Sequence, residues 1–239
     1  MECVGDSCEV GIYVRLVWLF VFITTFFAML LCYLFLSMRK AREQELLSYT
    51  FSKLMIECLE IERRRISREL HDIVLPLVKG TPVSDLIRSI CIDLMPPDFK
   101  RLSLKDSFAQ LCAQFSARTN IECACSIEEK IDLSFLNAEN QLHLFRMVQE
   151  SLNNIEKHSK AKYASLVVRD ITRGNSVNLL ICICDDGVGL KNISLENEGL
   201  GMRSIRQRAA IIRAALDFVS ESGNGLMVRI EVFREFVNE

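Results

Sequence analysis

Residues 146–158 read R-M-V-Q-E-S-L-N-N-I-E-K-H and lie inside a longer pattern, Ala138 to His158, that predicts one helix. Apolar residues recur through this pattern at spacings of three and four, so they share one side and are expected to face a core. These residues are Leu142, Phe145, Val148, Leu152 and Ile155. Glu150, Asn154 and Lys157 fall together on the opposite side. The pattern therefore predicts a helix that packs on a core and presents a polar stripe.

The polar stripe carries a carboxylate, a carboxamide and an ammonium, which could simply be a solvated helix face. Asn153 and Asn154, however, are poor helix formers and bring no packing gain in mid-helix. A Mg²⁺ site would explain them, because this cation takes one or two protein oxygens and completes its shell with waters and phosphates. Lys157, one turn further on, could then meet a phosphate. His143 also falls on the polar side of the helix, and we expect no particular role for it.

Two glycine-rich segments follow the helix. D-D-G-V-G, Asp185 to Gly189, comes directly after the apolar strand pattern Leu179–Cys184, so its acid could bond a base edge while the glycines allow a close approach. Gly199-Leu200-Gly201 opens a helix predicted from Met202, and a helix start of this kind offers amide donors to phosphate. Residues 191–198 are polar and suit a mobile lid over a nucleotide. Each segment by itself is a weak signal.

The part of the chain after Leu102 alternates between helix and strand patterns. It predicts an α+β domain in which helices cover one face of a mixed sheet. The predicted helices are residues 104–117, 138–158 and 202–214, and the predicted strands are residues 121–127, 163–170, 177–184, 216–220 and 226–232. Asn224, between two glycines, predicts the hairpin turn that joins the last two strands.

A second stretch, Glu62 to Asp72, reads E-R-R-R-I-S-R-E-L-H-D and ends in a histidine–aspartate pair. Residues 41–72 lack glycine and proline and favour one long helix. Gly80-Thr81-Pro82 breaks it, and a second helix capped by Thr81 or Ser84 runs as far as Leu94. This predicts a helical hairpin, and two hairpins would form a four-helix bundle. The three/four apolar spacing upstream favours a parallel dimer seam, with packing against the chain's own domain as the alternative.

An uncharged run of 22 residues, Leu16 to Ser37, precedes the hairpin. At about 1.5 Å per residue it is long enough to span a bilayer. The acidic N-terminal flank is unlike a signal peptide, and the basic residues Arg39, Lys40 and Arg42 predict a cytoplasmic C-terminal part. We expect a single-pass protein of the inner (cytoplasmic) membrane with residues 1–15 outside.

The net charge and the cysteine spacing argue against nucleic-acid binding and against cysteine-based structural sites. The net charge of −2 provides no basic footprint for nucleic acid, so we expect no direct nucleic-acid partner. The ten cysteines include no C-x-x-C pair, so we expect neither a zinc site nor a disulfide framework after the apolar run.

The order of these segments resembles the Bergerat-type (GHKL) ATP-binding domain of two-component sensor histidine kinases. With E-R-R-R-I-S-R-E-L-H-D upstream, the chain is similar to the nitrate-sensor-type subfamily over roughly residues 60–235. The resemblance implies a homodimeric, ATP-dependent protein-histidine kinase that uses Mg²⁺. It also implies that the phosphoryl group passes to an aspartate of a response regulator with a LuxR-like DNA-binding domain.

The resemblance further implies the roles of individual residues. His71 would accept the phosphoryl group, Asp72 would orient and deprotonate its imidazole, and Glu150 would support the metal or its water. Asn154 would be the Mg²⁺ ligand. The other residues expected to bind ATP are Lys157 and His158 near the phosphates, Asp185 on the adenine amino group, and the glycines Gly187, Gly189, Gly199, Gly201 and Gly225.

The predicted organisation is an extracytoplasmic N-terminus, a transmembrane helix, a linker helix, a dimerisation and phosphotransfer hairpin and an ATP-binding domain, at residues 1–15, 16–37, 38–61, 62–98 and 99–239. Two features depart from the family. Pro76 stands where the family usually has Gln or His for dephosphorylating the regulator, and the hairpin is short. Two alternatives therefore stay open: a degenerate ATP-binding switch or scaffold, and a gyrase-like ATPase that uses Glu150 to activate water.

Overall fold

The structure is a computed structural model that describes residues 5–174, 176–190, 199–220 and 224–234. Side chains are described at Tyr13 and from Arg15 onward within these ranges. The chain divides into two compact units, Met1–Ser52 and Lys53–Glu239. The predicted lid at residues 191–198 lies outside the described residues.

Helix α1, Gly5–Glu69, contains the predicted membrane span. Its described apolar side chains between residues 15 and 38 are exposed. The hydroxyls of Thr24 and Thr25 donate to the carbonyl of Val21, both at 2.9 Å, so they need no partner outside the helix. By length and composition, one helix among the described residues is long and apolar enough to cross a membrane, and its apolar part is not buried.

The helical hairpin follows directly from α1. The chain continues as a π-helical segment, Leu70–Val74, a short helix α2, Leu75–Leu77, and helix α3, Pro82–Leu94. Gly80, with φ of +85°, makes the turn, so the predicted break is confirmed. Ser67 Oγ donates to the carbonyl of Cys91 at 3.0 Å across the hairpin. Thr81 is the N-cap residue of α3, but its hydroxyl bonds Val78 rather than the helix.

The rest of the second unit is built around a five-stranded mixed sheet. The strands are β1, Glu122–Ile127, β2, Tyr163–Arg173, β3, Ser176–Asp185, β4, Ala215–Ser220, and β5, Leu226–Val232. Their order is β1-β2-β3-β5-β4, with β1 parallel to β2 and all other pairs antiparallel. The predicted α+β class and each predicted strand are therefore confirmed.

Three helices cover one face of the sheet: α4, Leu104–Thr119, α5, Ala138–Asn154, and α6, Leu200–Ile211. Ser103 and Asn137 cap α4 and α5, because their side chains accept hydrogen bonds from the backbone amides of Asp106 and Asn140. The core lies between these helices and every second residue of the central strands. The central positions are Leu166 and Val168, Ile181 and Ile183, and Val228 and Ile230, all at most 4% exposed.

Helix α5 differs from its prediction in two respects. It ends at Asn154, and the predicted last turn is instead the π-helical segment Ile155–Ser159. In addition, two of its polar residues, His143 and Arg146, are only 4% and 2% exposed, whereas Glu150, Asn154 and Lys157 are not buried. His143 does lie beside polar side chains, those of Arg208 and Glu139, but it is buried among them. The sequence pattern could not show that other parts of the fold pack on this side of the helix.

Candidate functional site

A cleft of about 510 Å³ lies between α5, α6 and the ends of the central strands. Most of the residues predicted to bind a nucleotide line it: Glu150, Asn154, Lys157, His158, Asp185, Gly189, Gly199 and Gly201. Its apolar wall includes Ile183, Ile205, Phe218 and Val228. An apolar cleft of this size with a few convergent polar groups is typical of a small-molecule site.

The last turns of α5 meet the first turn of α6 inside the cleft. A Cβ atom built on Gly201 would overlap Glu150 Oε1 and would lie 2.8 Å from Asn154 Oδ1. Two side-chain oxygens therefore converge on one point that only a glycine leaves free. This donor set of a carboxylate and a carboxamide oxygen suits Mg²⁺, so Glu150 and Asn154 fit the metal that the sequence implied.

Replacing Gly201 with alanine should disturb this point directly. The added methyl group must displace Glu150 or Asn154, so we expect Mg²⁺-dependent nucleotide affinity to fall about tenfold or more. Gly174→Ala, in the turn between β2 and β3 and away from the cleft, is the control, because its added Cβ meets nothing within 4 Å among the described residues. Titration of both variants with a Mg²⁺–nucleotide complex measures the difference. Equal affinities for the two variants would show that the oxygens do not act at this point.

Lys157 and His158 reach the cleft from the π-helical segment that follows α5. Both side chains are exposed, as expected of groups that meet a charged ligand. Lys160 follows the segment as its C-cap residue, in a left-handed conformation with φ of +55°. π-helical turns occur frequently at functional sites. The other π-helical segment among the described residues, Leu70–Val74, contains His71 and Asp72.

The two acids of D-D-G-V-G have separate roles. Asp185 lines the cleft, and burial raises the pKa of its carboxyl although Oδ1 accepts a hydrogen bond from the amide of Gly187 at 2.8 Å. Asp186 turns away and accepts hydrogen bonds from the amides of Tyr163 and Lys162, which lower the pKa of this carboxyl. Asp185 is therefore the acid positioned to meet a ligand. The hydrogen bonds of Asp186 hold the loop against the start of β2.

Gly187 and Gly225 do not line the cleft but lie beside Asp185, which does. A Cβ on Gly187 would overlap the carbonyl oxygen of Ser159, and a Cβ on Gly225 would overlap that of Asp185. Gly225 also has φ of +80°, which disfavours any side chain. Both glycines therefore hold the loop that carries Asp185 close to its neighbours.

His71 and Asp72 lie outside the cleft, on the hairpin. His71 Nδ1 and Asp72 Oδ1 are 2.9 Å apart, and the two side chains are 67% and 71% exposed. The carboxylate fixes the imidazole orientation and favours the tautomer with its proton on Nδ1, which leaves the lone pair of Nε2 facing solvent. The arrangement suits a nucleophile that meets its substrate from outside the hairpin.

Sequence reasoning missed a buried ionic cluster that joins α1 to α5 and α6. Glu60 is 4% exposed and bonds Arg146 of α5 and Arg208 of α6, and Arg208 approaches His143 at 3.3 Å. Burial alone would raise the pKa of Glu60, but the two guanidinium groups outweigh it and hold that pKa below its usual range. Neither Arg146, in the quoted run 146–158, nor Arg208, in the helix predicted from Met202, stands out in the sequence as a buried partner of Glu60.

Curated relatives of the chain share its sequence pattern. It is 30% identical over 200 residues to the sensor histidine kinase MctS of Rhizobium johnstonii, covering 68% of the chain and 41% of the relative. It is 26% identical over 146 residues to the sensor histidine kinase LiaS of Bacillus subtilis, covering 61% and 38%. The chain is a homologue of sensor histidine kinases. The chain is also 23% identical over 223 residues to the oxygen sensor histidine kinase NreB of Staphylococcus carnosus. That match covers 80% of the chain and 62% of the relative.

The chain itself spans less than two thirds of the length of each of these relatives. No family model matches it. Among solved structures, the histidine kinase domain of the blue-light activated histidine kinase from Erythrobacter litoralis is 18% identical, with a TM-score of 0.46 over 75% of the chain and 79% of that domain.

Proposed function

We propose that the chain is a membrane-anchored protein-histidine kinase that phosphorylates its own His71 from ATP and passes the phosphoryl group to an aspartate of a response regulator. The observation that carries this proposal is a cleft that combines Asp185, the oxygens of Glu150 and Asn154, and a glycine-opened helix, in a chain whose hairpin carries an exposed His71–Asp72 pair. Its homology to sensor histidine kinases supports the same function.

ATP would lie along the cleft with its adenine at the apolar end. Asp185 would accept a hydrogen bond from the adenine amino group, and Ile183 and Val228 would pack against the base. The phosphates would face the start of α6 at Gly199–Gly201 and the ammonium of Lys157. Asn154 and Glu150 would hold Mg²⁺, which neutralises phosphate charge when bound.

The chemical step needs a neutral imidazole and little else from the protein. Asp72 accepts the proton of Nδ1, so the lone pair of His71 Nε2 attacks the γ-phosphorus. The new Nε2–P bond forms as the P–O bond to the β-phosphate breaks, and ADP leaves with that electron pair. Positioning and charge neutralisation supply most of the rate enhancement in such transfers.

A second copy of the chain would complete the assembly. Several apolar side chains of the hairpin are exposed, among them Ile73, Leu77 and Leu86 at 62%, 81% and 60%. Burying them between two hairpins and linker helices would form a homodimer with a helical bundle. The regulator that receives the phosphoryl group would carry a LuxR-like DNA-binding domain, as the sequence resemblance implies.

The apolar part of α1 would anchor this dimer in the inner membrane as a single-pass span. Arg39, Lys40 and Arg42 follow the span and support an orientation in which the kinase would face the cytoplasm and residues 1–15 would lie outside. Pro76 lacks a side-chain hydrogen-bonding group, so we propose that the protein dephosphorylates its regulator only weakly.

The test is to label the full chain, reconstituted in lipid nanodiscs, with γ-phosphate-labelled ATP and Mg²⁺. We expect an acid-labile label that falls to background in His71→Gln, because a carboxamide cannot form the Nε2–P bond. Asp85→Asn, an exposed change on α3, is the control and should keep the label. ATP binding without any label would instead indicate the degenerate switch, and steady phosphate release without label would indicate the gyrase-like ATPase.

A further inference from the structure

A single hydroxyl joins two separate segments that border the cleft. Ser220, the last residue of β4, accepts a hydrogen bond from the backbone amide of Leu190 at 2.8 Å and donates one to the carbonyl of Gly225 at 2.7 Å. A serine hydroxyl has one proton to donate and lone pairs that accept, so it fulfils both roles at once. Ser220 therefore connects the end of the D-D-G-V-G loop to the residue that precedes β5.

The bond from Leu190 differs from the earlier bonds of the same loop. Two earlier amides donate to backbone carbonyls of neighbouring segments, that of Asp186 to Tyr163 at 3.2 Å and that of Val188 to Ser159 at 2.8 Å. Such bonds do not depend on a side chain. The bond from Leu190 ends on the hydroxyl of Ser220, so one substitution in β4 removes it without changing the loop.

The hydroxyl acts at the apolar end of the cleft. In the β4–β5 pair, Ser220 lies opposite Leu226 and Phe218 lies opposite Val228. Leu226, Phe218 and Val228 line the cleft, and so does Leu190. The bond to Ser220 therefore holds Leu190 beside the wall against which the proposed function packs the adenine. The groups assigned to the metal and the phosphates come from α5, the segment after it and the start of α6.

Leu190 follows a point where the chain is costly to order. Gly189 has φ of +66°, and a glycine loses more conformational freedom on ordering than any other residue. The bond from Leu190 to Ser220 offsets part of that cost at the next residue. Without the hydroxyl, Leu190 should occupy its place only part of the time. The apparent affinity of a ligand then falls in proportion to the fraction of molecules that are ready to bind it.

We propose that Ser220 is a positioning residue of the nucleotide site, whose hydroxyl holds Leu190 against the base of ATP and thereby sets the affinity for the nucleotide. The inference rests on the proposed function, since it concerns the same ATP site. Ser220 does not line the cleft, so it acts through Leu190 rather than by touching the ligand. Because the reacting groups lie elsewhere, losing the hydroxyl raises the KM for ATP and leaves the rate at saturating ATP unchanged.

The test measures two quantities on the full chain in nanodiscs: the affinity for a non-hydrolysable ATP analogue with Mg²⁺, and the KM for ATP in autophosphorylation. Ser220→Ala should weaken binding and raise KM about fivefold, the usual worth of one hydrogen bond, at an unchanged saturating rate. Ser220→Thr keeps the hydroxyl and suits a strand, so it should retain both wild-type values. Wild-type affinity in Ser220→Ala, or a lower saturating rate at unchanged KM, would overturn the proposal.

Ser116→Ala is the matched control for a loss of stability. Ser116 Oγ accepts a hydrogen bond from the amide of Cys123 at 2.9 Å, which joins α4 to β1 away from the cleft. Ser116 and Ser220 are both half-buried. The control should lose a similar amount of stability but keep the wild-type affinity for the analogue. If Ser116→Ala weakened binding as much as Ser220→Ala, general destabilisation would explain both variants and the proposal would fail.

A second variant decides the case even if Ser220→Ala does not fold. Ser220→Cys keeps nearly the size of the side chain, but a thiol is a weak donor and a weak acceptor. Its affinity for the analogue should therefore fall about threefold. Wild-type affinity in Ser220→Cys would show that the hydroxyl is not required. Failure of the proposed function gives a different result, because the wild type itself would then bind no analogue, and the inference would fall with it.

Discussion

Replacing Gly225 with alanine is expected to destabilise the second unit by about 3–5 kcal/mol, among the largest effects of any single substitution in it. Two costs add. The residue has φ of +80°, where a side chain costs about 1–2 kcal/mol. The new methyl group would also overlap the carbonyl oxygen of Asp185 and lie 2.7 Å from its carbonyl carbon, so backbone must move. Because Asp185 lines the cleft, nucleotide affinity should fall with stability.

The chain provides a control that separates the two costs. Gly80 has nearly the same φ, +85°, but an added Cβ there meets nothing within 4 Å among the described residues. Gly80→Ala should therefore cost only the conformational part, about 1–2 kcal/mol. Thermal unfolding followed by circular dichroism compares both variants with the wild type. Equal shifts in Tm would show that the contact between Gly225 and Asp185 adds no cost.

The fold was predictable where buried residues recur along the chain at the spacing of a strand or a helix. Alternate residues of the strands, such as Leu166 and Val168, are buried as a half-covered sheet requires. The π-helical turns at Leu70–Val74 and Ile155–Ser159 were not predictable, because an extra residue in a helical turn leaves no compositional mark. The sequence pattern continues smoothly through both segments.

The candidate site was predictable where a residue type conflicts with its local structure. Asn154 in a helix, and glycines before another helix, each needed a reason beyond packing, and the cleft brings them together. Glu60 presented no such conflict, since a carboxylate on a Glu- and Arg-rich helix reads as solvent-exposed. Its burial depends on Arg146 and Arg208, far away in sequence, so only the tertiary structure could reveal the cluster.

Stability should fall by about 2 kcal/mol between pH 7 and pH 5 because of His143 alone. Burial, and then the charge of Arg208, lower the pKa of this imidazole from 6.5 to about 4, although Glu139 and Glu60 act in the opposite direction. Arg208 Nη1 lies 3.3 Å from His143 Nδ1. Protonating that nitrogen would therefore bring two N–H donors face to face, with no acceptor between them. The depressed pKa means that the unfolded chain binds a proton first as the pH falls. The stabilisation is therefore complete above pH 6.5 and is lost down to about pH 4.

His143→Gln isolates this contribution, because the carboxamide keeps a polar group beside Arg208 but does not titrate. The free energy of unfolding of the full chain in detergent, measured at pH 7 and pH 5, should change by about 2 kcal/mol less in the variant than in the wild type. The pKa of Glu60 is held below its usual value of 4.5, so its carboxylate stays ionised in both states over most of this window. An identical pH dependence in the two proteins would mean that folding does not lower the pKa of His143.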